Sequence, residues 1–177
     1  INFRHLIDRG FTGDDYRYWL LTAHYRSTIN FSWDALMAAK QALYRLKRYV
    51  YEDYKQISDT PDAGYVEKFK KILANDLDTP NAIALLWDIT KDDSLDNKTK
   101  CATIHYFDRV LEIGLSDNVD EGKKTLGILT SNEVPEDVQM LVDKREASRI
   151  ARNWLEADTL REAINLKGYS VEDTPHG

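Results

Sequence analysis

Leu36, Ala39, Leu43, Leu46 and Val50 recur at spacings of 3, 4, 3 and 4 residues. A half-buried strand repeats every second residue, so this pattern fits a helix with one continuous apolar seam. Such a seam is stable only when covered, and other helices are the economical cover. Ser32 stands at the N-cap position and Asp34 in the first turn, where a carboxylate complements the helix dipole. The helix is predicted to run to about Gln56 and to break over Ser58-Asp59-Thr60-Pro61-Asp62-Ala63-Gly64.

Further helices follow the same logic. Val66, Phe69 and Leu73 mark one apolar face. Asp76-Leu77-Asp78-Thr79-Pro80 then supplies an N-cap at Thr79, or else Asp78, with proline where a first turn tolerates it. Ile83, Leu86 and Trp87 give the next face, and Lys91 to Lys98 reads as a polar turn. A helix from about Lys98 to Ile113 turns Cys101, Ile104, Phe107 and Leu111 inward, and Gly114 closes it. Leu115 to Glu133, weakened by Gly122 and Gly127, reads as a connector. Pro135 restarts helix with Val138, Leu141 and Val142 packing. Trp154, Ala157, Leu160 and Ile164 mark the last helical face, Gly168 ends it, and Tyr169 to Glu172 are expected to be extended. The pattern places the chain in the all-α class, an antiparallel helical bundle with a small C-terminal α/β appendage.

Composition narrows the function. The 177 residues suit one helical domain plus a small addition, and no apolar stretch approaches the roughly 20 residues that span a bilayer. A single cysteine, Cys101, cannot form an internal disulfide and fits a reducing cytoplasm. The sequence begins at Ile1, without methionine or a visible signal peptide, as a domain excised from a longer protein would. The formal net charge of -6 argues against indiscriminate nucleic-acid binding. Residues 1–57 carry nine Lys+Arg and six Asp+Glu, a net of +3; residues 58–143 carry nine and eighteen, a net of -9; residues 144–177 carry six of each. A polyanion would be met at the two ends and repelled by the middle, unless the acidic middle is simply a solvated surface.

Catalytic signatures are missing from the sequence: there is no Gly-rich phosphate loop and no nucleophile elbow. The four histidines are scattered. Cys101 and His105, four apart on one predicted helix, could present two metal ligands, but a zinc site needs about four. Cys101 reads better as a small core residue, and Asp14-Asp15 as helix-start chemistry. The tail is different. Arg145, Arg149 and Arg152, separated by four and three residues, would share one helical face and could span phosphates or grip base edges. Trp154 offers either a stacking surface for an unpaired base or a core side chain. Asp158 and Asp173 can accept hydrogen bonds, which suits a base amino or imino group and repels phosphate. Arg161, three residues beyond Asp158, could instead simply pair with it.

Four motifs, in order, resemble the part of cysteinyl-tRNA synthetases that follows the KMSKS-type loop. They are Asp15-Tyr16-Arg17-Tyr18 with His24-Tyr25-Arg26-Ser27-Thr28-Ile29-Asn30-Phe31-Ser32, then Ala74-Asn75-Asp76-Leu77-Asp78-Thr79-Pro80, then Phe107-Asp108-Arg109-Val110-Leu111, and finally Glu172-Asp173-Thr174-Pro175-His176-Gly177. Thr28 stands where proline is common. The second motif exchanges Asn and Asp relative to the family's Asp-Asp-Leu-Asn-Thr-Pro. The family's Thr-x-Trp tail beyond the last glycine is missing.

The resemblance implies a stem-contact or linker segment over 1–33, a helical bundle of the DALR anticodon-binding type over 34–130, and a C-terminal anticodon-binding module over 131–177. It implies that Arg149, Trp154, Asp158 and Asp173 lie where the family reads the GCA anticodon of cysteine tRNA, with Arg161 in support. Arg26 is then a candidate contact on the inner side of the tRNA. The class I catalytic domain, with its ATP-binding motifs and zinc ligands, is expected before Ile1. No catalytic residue, cofactor or metal is therefore expected in this chain, and its expected partners are cysteine tRNA and the parent's own catalytic domain, in a cytoplasmic monomer. Two other readings remain: a relative that joins cysteine to a small sugar-amine, and a helical interaction module without RNA. The intact pattern over Lys144–Asp173 weighs against the first of these, and an exposed apolar stripe would favour the second.

Overall fold

The computed structural model describes residues 2–53, 60–115, 126–127, 129 and 133–171, and these divide into two compact units, Ile1–Gly127 and Ile128–Gly177. The first unit contains α1 (Phe3–Ile7), α2 (Gly13–Leu21), α3 (Trp33–Asp53), α4 (Ala63–Ala74), α5 (Thr79–Lys91) and α6 (Asn97–Leu111). The second contains α7 (Glu136–Ile150) and α8 (Trp154–Leu166). No described residue is in a strand, so the all-α class holds and the expected α/β appendage is corrected to a helical hairpin. The expected end of α3 at Gln56, most of the 115–133 connector and the terminal motif from Glu172 lie outside the described residues.

The seam of α3 is buried throughout, with Leu36, Leu43, Leu46 and Val50 all at or near zero exposure. Its start is capped as its sequence requires, by the Ser32 hydroxyl accepting from the Ala35 N–H at 3.1 Å. At the start of α2, Thr12 and Asp15 cap reciprocally, each side chain accepting from the other's N–H at 3.2 and 2.8 Å. This uses Asp15 as helix-start chemistry, as expected. Asp78 caps α5 by accepting from the Asn81 N–H at 3.3 Å. Asparagine and aspartate cap about equally well, so the exchange in the second motif is physically mild.

Helix α6 contacts α3, α4 and α5 and buries Cys101, Ile104, Phe107 and Leu111. Phe107 stacks on Phe69 of α4 with ring centroids 3.9 Å apart. Thr103, fully buried, accepts from the Asp62 N–H at 2.9 Å and donates to the Thr99 carbonyl at 2.7 Å, fastening the head of α4 to α6. Trp87 of α5 donates to the Tyr18 hydroxyl of α2 at 3.0 Å.

Gly114 was expected to close α6, but the helix stops earlier, at Glu112, which takes the left-handed conformation (φ 49°). The cause is the carboxylate of Asp108, 1% exposed, which accepts from the N–H groups of Ile113 (2.8 Å) and Leu115 (2.7 Å). Gly114 follows with φ 77°, and a Cβ there would run into Asp14 and Lys47, which pair across it at 2.6 Å. The Gly114 carbonyl accepts from the Tyr51 hydroxyl at 2.8 Å.

In the second unit Val138, Ala157 and Ile164 are the buried apolar side chains. Lys167, just past α8, donates to Asp137 near the start of α7 at 2.6 Å, so the two helices run antiparallel. That bond is the main cause of the lowered pKa of Asp137.

Asp108→Ala should destabilise the first unit by about 2–4 kcal/mol, because it strands two buried N–H donors. Chemical denaturation against the parent chain measures it. A second prediction concerns Tyr65, whose hydroxyl donates to Asp92 at 2.8 Å. Burial, and then that bond and the charges of Asp92, Asp88 and Asp62, push its pKa up from 10.0 to about 12. The native state therefore favours the protonated phenol, and the associated stability is intact below pH 10 and disappears as pH rises toward 12. Absorbance titration should find Tyr65 late, together with Tyr18, whose hydroxyl burial also pushes up, and Asp92→Asn should move the Tyr65 step part of the way back.

Candidate nucleic-acid interface

The turn between α7 and α8 sets the geometry of the tail. The Asn153 N–H donates to the Ser148 carbonyl at 2.8 Å and the Arg152 N–H to the Arg149 carbonyl at 2.9 Å. These two bonds form a Schellman closure, whose left-handed residue is usually glycine. Here it is Arg152, at φ 58°. A side chain in that conformation costs about 1–2 kcal/mol. Asn153 then caps α8, accepting from the Glu156 N–H at 3.4 Å while its amide donates to the Glu156 carboxylate at 2.8 Å.

This turn corrects the expected arginine stripe. Arg145 is buried within the hairpin, Arg149 is half-buried, and Arg152 lies beyond the end of α7 with its side chain in solvent. Three arginines spaced for one face are thus divided among an interior, an edge and a turn.

Trp154 opens α8 and is 59% exposed, which decides between the two readings of it: it is not a core residue. It was expected on the buried face with Ala157, Leu160 and Ile164, of which Ala157 and Ile164 are buried and Leu160 half-buried. Trp154 differs because it stands at the turn end of the hairpin, where Ile150 is also 80% exposed. Trp154, Asp158 and Arg161 follow at spacings of four and three and so share one face of α8. Asp158 and Arg161 form an ion pair at 3.2 Å with both side chains well exposed. The pair holds a carboxylate acceptor and guanidinium donors side by side, one turn from an exposed indole. Asp173 lies outside the described residues.

Arg26 belongs to the first unit. Its Nε donates to the Tyr25 hydroxyl at 2.8 Å and its Nη2 meets the Asp76 carboxylate at 3.0 Å. Tyr25 donates to the same carboxylate at 2.8 Å, and the His24 ring nitrogen Nε2 lies 3.0 Å from the Asp76 carbonyl. Two motif segments far apart in sequence, 24–26 and 75–77, therefore meet in one exposed network. Sequence reading named both segments but missed their contact and the part of Asp76. Asp76 and Leu77 both adopt left-handed backbone (φ 57° and 52°), which no glycine announces.

Other chemistry is not assembled. Among the described residues no three potential metal ligands cluster. Cys101 is buried in α6, and His105 beside it has a pKa lowered by burial, which the nearby Asp108 charge partly offsets. A cavity of about 400 Å³ in the first unit is lined by apolar and aromatic side chains such as Phe3, Leu6, Trp19 and Phe31, with no acid–base pair. No described helix is long and apolar enough to cross a membrane.

No family model matches the sequence. Individual proteins do. Cysteine–tRNA ligase 1 of Burkholderia lata is 38% identical over 162 residues, 92% of this chain. The cysteine–tRNA ligases of Chlamydia abortus and Chlamydia felis are 38% and 35% identical, each over 98% of this chain. The chain is a relative of the cysteine–tRNA ligases. It spans 32% of the length of the Burkholderia protein and 38% of each chlamydial one. The similarity runs through both units, so the exposed network around Asp76 and the α7–α8 turn both lie within the region shared with these ligases.

Because Trp154, Asp158 and Arg161 are solvent-facing, each can be changed without dismantling the hairpin. Trp154→Ala and Asp158→Ala should each alter stability by no more than about 0.5 kcal/mol, the usual range for surface changes. Ile164→Ala should cost about 2–5 kcal/mol, by cavity formation. Denaturant midpoints of the three variants check the contrast.

Proposed function

We propose that this chain is the tRNA-binding portion of a cysteine–tRNA ligase, a class I synthetase whose catalytic domain and ATP and zinc sites lie elsewhere in the parent protein. In this reading the α7–α8 hairpin reads the GCA anticodon of cysteine tRNA and the first unit bears on the body of the same RNA through Arg26. The aminoacylation itself belongs to the parent enzyme, for which this chain fixes the position of the tRNA.

One observation carries the reading: an exposed indole on the same helix face as an exposed carboxylate–guanidinium pair. An unpaired base needs a flat apolar surface and directional partners for its edge. Trp154 supplies the surface. Asp158 accepts from base N–H groups, guanine being the base with two on its pairing edge, and Arg161 keeps that carboxylate in place. Arg149, half-buried at the rim, is the further donor, and Asp173 the further acceptor. The names of the relatives support the choice of tRNA over other single-stranded RNA.

Fluorescence anisotropy at stated salt tests this. Arg149→Ala and Asp158→Ala should each weaken binding to a GCA anticodon stem-loop about 10-fold, in line with ~1–3 kcal/mol per base-edge contact, and should weaken a loop altered at the first anticodon base much less. Equal losses on both loops would reduce these residues to general electrostatics. Ile150, Leu155 and Leu166 also stand 80–89% exposed, and self-association of the chain with no RNA binding would mark the hairpin as a protein-docking face instead. Cysteine-dependent pyrophosphate exchange by this chain alone should be undetectable.

A further inference from the structure

We infer that Arg152 is a phosphate-contact residue, holding the backbone of the nucleotide whose base lies on Trp154. The inference rests on the anticodon reading and adds a residue to it.

The argument begins with the arginines of the second unit. Arg145 is buried, Arg149 is half-buried, and Arg161 is paired with Asp158. Arg152 is exposed, and no described residue forms an ion pair or side-chain hydrogen bond with it. Its charge is therefore the least compensated of the four. Of its neighbours at the turn, Ile150 at 80%, Trp154 at 59% and Leu155 at 83% exposure are apolar, and the Glu156 carboxylate is engaged by the Asn153 amide. An uncompensated guanidinium two residues from an open indole offers a nucleotide both things it needs: charge for the phosphodiester and a plane for the base.

Backbone strain is the second, independent observation. The Schellman position at 152 is satisfied at least cost by glycine, and this chain places arginine there at φ 58°. The hydrogen bonds of the closure are main-chain bonds from the N–H groups of Arg152 and Asn153 and would form equally well with glycine. The side chain thus adds nothing visible to the fold that requires it. Strain that the fold does not need points to a use outside the fold.

A structural role and a binding role predict opposite things for Arg152→Gly. In the full chain, this change should slow amide hydrogen exchange across α7 and α8 by about 2–5-fold, because strain is relieved. The same variant should bind the GCA stem-loop about 3–10-fold more weakly at low salt, with the slope of log Kd against log salt smaller by about 0.7, one single-strand phosphate contact. The loss should be the same on a loop altered in its anticodon bases, since phosphate carries no sequence information. Arg152→Asn, which tolerates the left-handed backbone, should reproduce the loss of affinity. Stability and affinity moving in opposite directions is the expected result. Faster exchange in Arg152→Gly would make the side chain structural, and unchanged affinity and salt slope would remove it from the interface; either overturns the inference while leaving the anticodon reading intact. A loss confined to the GCA loop would make Arg152 a base reader and overturn it as well. Failure of the unaltered chain to bind either loop overturns the anticodon reading and this assignment together.

Discussion

The first unit is organised around the carboxylate of Asp108. It sits in the interior, where a charge is tolerated only when hydrogen-bonded, and it grips the N–H groups of Ile113 and Leu115. That grip turns the chain off the end of α6 through a left-handed Glu112 and delivers Ile113 and Leu115 into the core, both fully buried. It also sets Gly114 beneath the Asp14–Lys47 pair and against Tyr51, and leaves the Leu111 carbonyl to accept from Arg17 at 2.7 Å. One buried acid thereby joins α6 to α2 and α3. The motif Phe107-Asp108-Arg109-Val110-Leu111, notable in the sequence as a resemblance, acquires a physical meaning: Phe107 packs on Phe69, Asp108 ends the helix, and Leu111 fills the core.

Much of this was legible from spacing. The seam Leu36 to Val50, the cap at Ser32 and the inward face of α6 all follow from period and local chemistry, and the structure has them where the pattern places them; the cap of α5 is Asp78, the alternative to Thr79. What was not legible has a common cause. Asp76, Leu77, Glu112 and Arg152 are left-handed without being glycine. Side-chain type gives no warning of that, because the conformation goes with hydrogen bonds that residue spacing does not show, such as the main-chain closure onto Ser148 and Arg149 and the Asp108 carboxylate's grip on Ile113 and Leu115. Reading Gly114 as the helix stop missed Glu112, and reading Arg145, Arg149 and Arg152 as one stripe missed the turn between the second and the third.

The candidate site follows the same division. Trp154, Asp158 and Arg161 were legible as a spacing, and helix α8 does set them on one face. Whether Trp154 faced inward was not, since its spacing from Ala157 and Ile164 is equally that of a core residue. Its exposure comes from its place as the first residue of α8, next to a tight turn, where no further residue of the hairpin closes over it.

Electrostatics shape how such a surface can work. Arg26 is matched by Asp76 and Arg161 by Asp158, so in each unit one of the cations named from the sequence carries its own counter-charge. Paired charges produce little field beyond a Debye length, about 8–10 Å at ordinary ionic strength. A chain of net charge -6 built this way does not gather RNA from a distance. In the proposed anticodon reading, discrimination comes once contact is made, where a carboxylate that would repel phosphate instead accepts from a base, and where the arginine beside it is already oriented. In the same reading Arg152, with no such partner among the described residues, supplies at the turn the attraction that the paired groups give up.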